Sequence, residues 1–282
     1  MAIVYSIEIE TKLQERLDAP KVWKEVLDVK YTNSGTLKNP YLTDATQSTG
    51  TRGTGYTSVA VATVDDSVSI TDYVYSAAHI DDADLAQKTF SDFMEIADNM
   101  AEVLSEGMET AMLAEHAQWT NFDNASIGGS AGNITVAVSN IKDIITGIKR
   151  QIRTAKGGSM LARNGGFIIW READFEILEK LASSEGFNTA DDALKNGIKQ
   201  GFKYMGMEHY SSVFHTAGHV YAGVKKGMQV GIVKSTYGRV KTIVNPVVSG
   251  AQISGVGLET RIDRKFKAWT KMVPVQFDVL VA

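Results

Sequence analysis

The 282-residue sequence has no cysteine, only four prolines and no long apolar run. Without cysteine it cannot form disulfides, thiolate metal sites or a cysteine nucleophile. No window approaches the roughly 18 consecutive apolar residues of a membrane span. The first residues, acidic by Glu8, also lack the basic and apolar regions of a signal peptide. These absences favour a protein of the reducing cytoplasm with no membrane segment.

An excess of positive charge is also missing. The formal net charge is -4, which argues against tight, sequence-specific nucleic-acid binding. Apolar residues make up 44% of the chain and charged residues 22%, so a core can form, in one large domain or in two lobes. The 25 glycines suit sheets with many turns.

The N-terminal region predicts an arm followed by a loop. Residues 1–40 are expected to be irregular, with one helical stretch at 11–27 that Pro20 divides into two short helices. Residues 48–55 contain no apolar side chain. Their only charge is Arg52, and their glycines are Gly50, Gly53 and Gly55. Such a tip has almost no apolar area to bury, so it cannot stabilise its own subunit.

A strand pattern follows this tip. A run of valines ends at Val64, and a break in the strand is expected at Asp65-Asp66. From Val68 onwards, apolar positions alternate with a second set of positions that includes Tyr73 and Tyr75. A glycine-rich tip beside a thinly apolar strand predicts an extended hairpin. The hairpin has too little apolar surface to stand alone, so we expect a neighbouring surface to cover it.

The strongest helical pattern covers residues 91–116. Its apolar stripe contains Phe93, Ile96, Ala97, Met100, Val103, Leu104, Met108, Ala111 and Met112. The helix would be ~39 Å long, which is unusual for a domain of this size and predicts a spine. The methionines of the stripe, including Met94, are read as core filling rather than as an adhesive surface.

After a linker at 119–133 the pattern changes to alternating helices and strands. Helices are predicted around 141–152 and 175–181, and short strands at 167–170, 220–222 and 230–233. The C-terminal part, 240–282, is mostly strand-like. The strands and the spine could form one lobe, with 134–240 inserted as another.

This element order resembles the major capsid protein of tailed bacteriophages, which has the Hong Kong 97-type fold. Four strings are similar to that family: AAHIDDADLAQ at 77–87, GFIIWREADF at 166–175, GFKYMG at 201–206 and HVYAGVKKG at 219–227. The resemblance covers nearly the whole chain and rests on the joint order of the elements.

The resemblance implies an α+β fold with an N-terminal arm at 1–40 and an extended loop at 41–79. It places a peripheral domain with the spine helix at 80–133 and 241–282, and an axial domain at 134–240. Inter-subunit contacts are expected from Arg52, the three tip glycines and two tyrosines, Tyr73 and Tyr75.

The implied function is a non-enzymatic major capsid protein that assembles into an icosahedral head shell around viral DNA. Its partners would be copies of itself, as pentamers and hexamers, with a scaffolding protein, a portal and decoration proteins as further candidates. The shell would form in the host cytoplasm and remain in the virion. It would enclose DNA without sequence-specific binding and would need no cofactor, metal or membrane.

Two departures from the family carry expectations. Some members cross-link their subunits through a lysine of the extended loop. Here residues 41–87 contain no lysine, and Lys38 and Lys88 stand only at the two ends of that segment, so we expect a shell without covalent links. Some members also begin with a cleaved scaffolding region. The arm here begins at Met1, so we expect a separate scaffolding protein or none.

Two other functions stay open. The first is an encapsulin-type nanocompartment, which encloses enzyme cargo within the same fold. The second is a serine hydrolase using Ser130 of the G-x-S-x-G pattern at 128–132, although the residues before it are polar and favour a linker.

The remaining chemical signals are weak. The histidines His209, His215 and His219 lack the spacing of a helical metal-ligand pair, so we read them as surface or partly buried side chains without a metal. The basic residues Lys142, Lys149, Arg150 and Arg153 are interpreted as a solvated helix face rather than a nucleic-acid surface.

Overall fold

The structure, a computed structural model, describes residues 2–18, 21–43, 52, 60–81, 90–184, 201–244, 246–248, 251–252 and 254–282. Within these ranges the α-helices are α1 (Ala2–Asp18), α2 (Val22–Val26), α3 (Phe90–Leu113), α4 (Ile141–Thr154), α5 (Gly158–Asn164) and α6 (Glu172–Ser184). Short 3₁₀ turns cover Ala114–Gln118, Asn124–Ile127 and Val273–Val275. No helix in these ranges combines the length and the apolar character needed to cross a membrane.

The strands form two sheets and two ribbons. The five-stranded sheet contains β1 (Asp28–Thr32), β4 (Asp72–Ile80), β10 (Met228–Val233), β11 (Val240–Val244) and β14 (Val256–Ala268). The six-stranded sheet contains β5 (Thr120–Phe122), β6 (Gly166–Arg171), β7 (Phe202–Tyr204), β8 (Met207–Ser212), β9 (His219–Val224) and β15 (Gln276–Leu280). The ribbons pair β2 (Thr36–Leu42) with β3 (Thr63–Ser69) and β12 (Val247–Val248) with β13 (Ala251–Gln252).

Strand β14 is the centre of the five-stranded sheet. Arg264 pairs with Ile232 of β10 on one side and with Asp72 of β4 on the other. Residues 256–260 of β14 pair with β4 on one edge and with β11 on the other. Strand β11 therefore lies on the same edge of β14 as β10. Strand β4 is therefore the outer strand on its side of the described sheet.

The predicted spine helix is confirmed as α3, which packs on the inner face of this sheet. Its buried apolar stripe contains Ala97, Met100, Ala101, Leu104, Met108 and Met112. Val103, which the sequence pattern assigns to this stripe, is instead 42% exposed. The helix comes closest to β4 at Gly107, where an added Cβ would lie 2.4 Å from Cγ1 of Val74. The α-helix ends at Leu113, and the 3₁₀ turn Ala114–Gln118 continues it, so the predicted end near His116 falls inside that turn.

The six-stranded sheet is covered on both faces. On one face Trp170 and Val220 join the hydrophobic core that includes α4 and α6. On the other face Phe167 and Tyr221 join the core of the spine. Trp119, just after the spine, stacks on Tyr221 with ring centroids 3.8 Å apart. The end of the spine thus packs on the sheet that separates the two cores.

The structure corrects the description of the arm. Helix α1 already begins at Ala2, and its side chains Ile9, Leu13 and Leu17 are buried in the spine core. The arm is therefore more regular than predicted, because its apolar residues pack against α3. Division into two helices is confirmed, with α1 ending at Asp18 and α2 beginning at Val22.

The strand predictions need two corrections. Strand β3 runs through Asp65-Asp66 without a break, because both residues pair with β2. The Asp66 carboxylate accepts hydrogen bonds from the backbone N–H and hydroxyl of Thr270. The alternating pattern instead contains a break at Ile70-Thr71. On either side of it, β3 pairs with β2 and β4 pairs with β14.

The predicted domain boundaries can be compared with the sheets. Strand β10 lies in the proposed axial range but pairs with β14 in the sheet under the spine. Strand β15 lies in the proposed peripheral range but pairs with β9 in the six-stranded sheet. Strand pairing therefore crosses the boundary between these two ranges in both directions, and the division into domains stays a prediction.

Candidate assembly surface

Strand β4 presents two tyrosines on the outer face of the five-stranded sheet. Because side chains alternate along a strand, Val74 and Ile80 point towards the spine while Tyr73 and Tyr75 point away. The tyrosine side chains are 55% and 64% exposed, respectively. Both sequence-predicted contact residues of this strand are thus free to meet another molecule.

Charged side chains surround the tyrosines. The guanidinium of Arg261 lies 5.8 Å from the ring centroid of Tyr73 and forms an ion pair with Asp263 at 3.3 Å. A shallow groove of about 590 Å³ runs beside them. Its lining consists of Tyr73, Tyr75, Ala77, Ser235, Thr236, Arg239, Lys241, Glu259, Thr260 and Arg261. The groove combines aromatic surface with both signs of charge, and two of its three cations are already paired within the subunit, Arg261 with Asp263 and Arg239 with Glu10.

An ion-pair cluster holds the start of β4. The ammonium of Lys265 lies 2.7 Å from Oδ2 of Asp72, and the guanidinium of Arg264 lies 4.0 Å from the same atom. The hydrogen bond from Lys265 lowers the pKa of Asp72 below its usual value. These contacts fix the strand next to the two tyrosines.

The β2–β3 hairpin is attached to the sheet at several points along its paired strands. In the middle of β3, besides the bonds from Thr270, Asp66 lies 3.5 Å from Nζ of Lys267. At the loop end of β2, the ammonium of Lys271 donates to the carbonyl of Leu42 at 2.8 Å. Apolar packing is confined to the base, where Leu37 is buried.

The rest of the hairpin has few internal contacts with the core. Leu37 is the only buried residue of β2 and β3, while Leu42 is 59% exposed. Arg52 is exposed. The predicted contact residues Gly50, Gly53 and Gly55 lie outside the described residues. The hairpin thus leaves apolar and polar surface available to a neighbour.

Sequence reasoning missed the cations of the groove. The signal was present in the string GLETRID, where alternation places Glu259, Arg261 and Asp263 on one face of a strand. Arg239 and Lys241 could not be found in this way, because they reach the groove from β11 and the turn before it, and only the pairing of β11 with β14 brings them there.

The other chemical signals have structural explanations. Ser130 is exposed in a turn, with a 3₁₀ turn before it and the next helix only at Ile141, so the strand–serine–helix context of a nucleophile elbow is absent there. Lys149 donates to the carbonyl of Met205 and Arg150 to that of Ser126, both at 2.6 Å. This basic helix face therefore fixes neighbouring loops, in addition to being solvated.

The histidines differ from the expectation at one position. His209 is fully buried rather than at the surface. Its Nδ1 accepts a hydrogen bond from the indole N–H of Trp170 at 2.9 Å, and its Nε2 donates to the carbonyl of Tyr204 at 3.2 Å. Burial lowers the pKa of His209 to about 4, so the imidazole is neutral at pH 7. His219 lies on another strand, β9, and contacts Asp278.

Comparison with known proteins identifies the fold. No family model and no curated protein matches the sequence. Among solved structures, a chain of the capsid of cyanophage P-SCSP1u is 13% identical with a TM-score of 0.55, covering 93% of this chain and 88% of its own. A chain of Mycobacterium phage Che8 is 11% identical with a TM-score of 0.60, covering 92% and 97%. A virus-like particle from Pyrococcus furiosus gives 11% identity and a TM-score of 0.56, covering 98% and 99%.

These similarities extend over nearly the full length of both partners in each comparison. The chain therefore has the α+β fold of Hong Kong 97-type capsid proteins, as its element order implied. At such low identity the comparison establishes the fold alone.

Proposed function

We propose that this chain is a major capsid protein that assembles with many copies of itself into a closed icosahedral head shell around viral DNA. The observation that carries the proposal is the full-length match to chains of phage capsids and of a virus-like particle. No enzymatic role is proposed, since the matched chains come from shells and the candidate nucleophile Ser130 lacks its structural context.

The outer surface of the subunit supports this proposal. The exposed tyrosines of β4, the groove beside them and the thinly buried hairpin leave contact area that the subunit itself does not use. Contacts that join two different surfaces of identical copies close into rings when the rotation between copies is right. We propose that the hairpin, with Arg52 near its tip, reaches a carboxylate on the adjacent copy.

The finer features follow the same proposal. Pentamers and hexamers would form around the axial range 134–240, and the peripheral ranges 80–133 and 241–282 would lie between them. A scaffolding protein, a portal and decoration proteins are further proposed partners. Assembly in the host cytoplasm and residence in the virion complete the proposal.

Negative-stain electron microscopy of the purified full chain tests the proposal. We expect closed shells of uniform diameter, formed by the protein alone or after addition of a scaffolding protein from the same source. A preparation that stays monomeric or forms only irregular aggregates under both conditions would contradict it.

The contents of the particles separate the two shell functions. Particles purified after nuclease treatment of the outside should show the ultraviolet absorbance of enclosed nucleic acid if the shell is a viral head. Particles that contain a co-purifying enzyme and no nucleic acid would instead support the encapsulin-type nanocompartment.

A further inference from the structure

A histidine–histidine–aspartate cluster lies where the end of the spine meets the six-stranded sheet. Three elements supply it: His116 comes from the 3₁₀ turn after α3, His219 begins β9 and Asp278 lies in β15. His219 and Asp278 are diagonal neighbours, because their strands pair Tyr221 with Asp278 and His219 with Leu280. Their side chains therefore leave the sheet on one face, under the turn that carries His116.

Two imidazole nitrogens converge on one carboxylate oxygen in this cluster. Nδ1 of His219 lies 2.8 Å from Oδ2 of Asp278, and Nδ1 of His116 lies 3.8 Å from the same oxygen. The two imidazole rings stack with centroids 3.8 Å apart. One ligand atom from each of the three residues fits within a mutual distance of 4.8 Å.

The carboxylate is poorly satisfied without a further partner. Asp278 is only 2% exposed, and its Oδ1 has no hydrogen-bond partner among the described residues. A buried carboxylate oxygen without a partner is costly, and a cation that contacts both Oδ1 and Oδ2 removes that cost. The two histidine side chains are 27% and 25% exposed, so an ion and a water ligand can reach the site from solvent.

We infer that His116, His219 and Asp278 form a binding site for a divalent transition metal ion of the zinc type. Zinc takes histidine nitrogen and carboxylate oxygen at about 2.0–2.2 Å, which places tetrahedral ligand atoms about 3.3–3.5 Å apart. The observed separations of 2.8 and 3.8 Å fall on either side of that value. Because a metal lies in the plane of each imidazole that binds it, at least one of the two stacked rings must rotate for both nitrogens to reach one ion.

The site has a structural consequence. It would tie the 3₁₀ turn after the spine to two strands of the six-stranded sheet, next to the stacked Trp119 and Tyr221. Because an ion that binds only the folded state stabilises it, the metal would strengthen the attachment of the end of the spine to the six-stranded sheet. The three ligands belong to one chain, so the site does not depend on shell formation.

Zinc titration of the chelator-treated full chain tests this inference. We expect one Zn²⁺ per chain by isothermal titration calorimetry and a higher unfolding temperature with Zn²⁺ than with Mg²⁺, which prefers oxygen ligands. His116→Gln should weaken Zn²⁺ binding at least tenfold and remove the thermal shift. His79→Gln is the matched control, since His79 is exposed and contacts only the carbonyl of Ser254 among the hydrogen bonds described for it.

Asp278→Asn gives a second variant of nearly the same shape that should also lose Zn²⁺ binding. If it does not fold, His116→Gln decides alone, because His116 is partly exposed and its replacement leaves both cores intact. Absence of Zn²⁺ binding to the wild-type chain would overturn the inference. Binding that survives His116→Gln unchanged would overturn it equally.

Discussion

Helix α3 and the β2–β3 hairpin differ in how they use their side chains. One face of α3 is buried along its length, with Leu104 and Met108 fully inaccessible to solvent. In the two described strands of the hairpin only Leu37 is buried, and polar bonds at Asp66 and Leu42 hold their middle and their loop end. The helix therefore stabilises the subunit. The hairpin can contribute comparable free energy only through contacts with another molecule.

This difference indicates where mutations should act. A change in the helix stripe removes apolar contacts that the folded subunit already has, so it should lower the free energy of unfolding. A change at an exposed position such as Arg52 or Tyr75 removes little that the lone subunit uses, so it should act on assembly rather than on the free energy of unfolding.

The largest effect on the subunit is expected from Leu104→Ala. The side chain is 0% exposed at the centre of the stripe, so its truncation should lower the free energy of unfolding by about 2–5 kcal/mol in chemical denaturation. Val103→Ala is the matched control on the same helix, because Val103 is 42% exposed. Its effect should stay within about 0.5 kcal/mol. A loss well under 1 kcal/mol for Leu104→Ala would contradict the assignment of the stripe to the core.

Acidification should destabilise the core through His209. The unfolded imidazole takes up its proton near pH 6.5 and the folded one only near pH 4, so the unfolded state binds more protons between these values. Stability is therefore lost as the pH falls through this window, by about 3 kcal/mol at most. Chemical denaturation of the unassembled subunit at pH 7 and pH 4.5 measures the loss.

His209→Gln checks the source of this pH dependence. The variant should be less stable than wild type at pH 7, because the bonds to Trp170 and Tyr204 are disturbed. It should also lose less stability on acidification. His215, whose pKa burial also lowers to about 4, keeps its contribution in both proteins. An identical pH dependence in wild type and variant would contradict the role of His209.

Two neighbours on β4 separate subunit stability from assembly. Val74 contacts the spine at Gly107, so Val74→Ala should lower the free energy of unfolding by about 1 kcal/mol. Tyr75 faces outward, so Tyr75→Ala should leave that free energy within about 0.5 kcal/mol and lower the denaturant concentration at which shells dissociate. Comparable subunit destabilisation by both changes would place Tyr75 in the core instead.

No covalently linked subunits are expected when assembled particles are boiled in detergent, which is the smallest effect predicted here. Residues 41–87 contain no lysine, and the guanidinium of Arg52 is not an amine that could form an isopeptide bond. Gel electrophoresis should therefore show single chains. A ladder of covalent oligomers would refute a shell held by non-covalent contacts.

Much of the fold could be predicted from local patterns. The spacing of Met100, Leu104, Met108 and Met112 predicts α3 and its buried face, since helical period and burial are properties of one segment. The break between β3 and β4 was missed, because alternation reports which face a side chain takes and not which strand its backbone pairs with. The early start of α1 was missed for a similar reason, since its packing partner lies far along the chain.

The candidate surface was only partly predictable. Tyr73 and Tyr75 were correctly placed on an exposed strand face by alternation. Residues from separate strands, such as Lys241 in the groove or Asp278 beside His219, come together only through sheet register. Register depends on long-range pairing, and no spacing within a single segment encodes it.

Removal of residues 49–54 is the most direct test of the division between spine and hairpin. Sedimentation velocity should show shells for the wild-type chain and unassembled subunits or fragile particles for the deletion. Denaturation of the two unassembled subunits should give the same free energy of unfolding, because the tip contributes no apolar side chain to the core. Shells of normal size and stability from the deleted chain would contradict the proposed role of the hairpin.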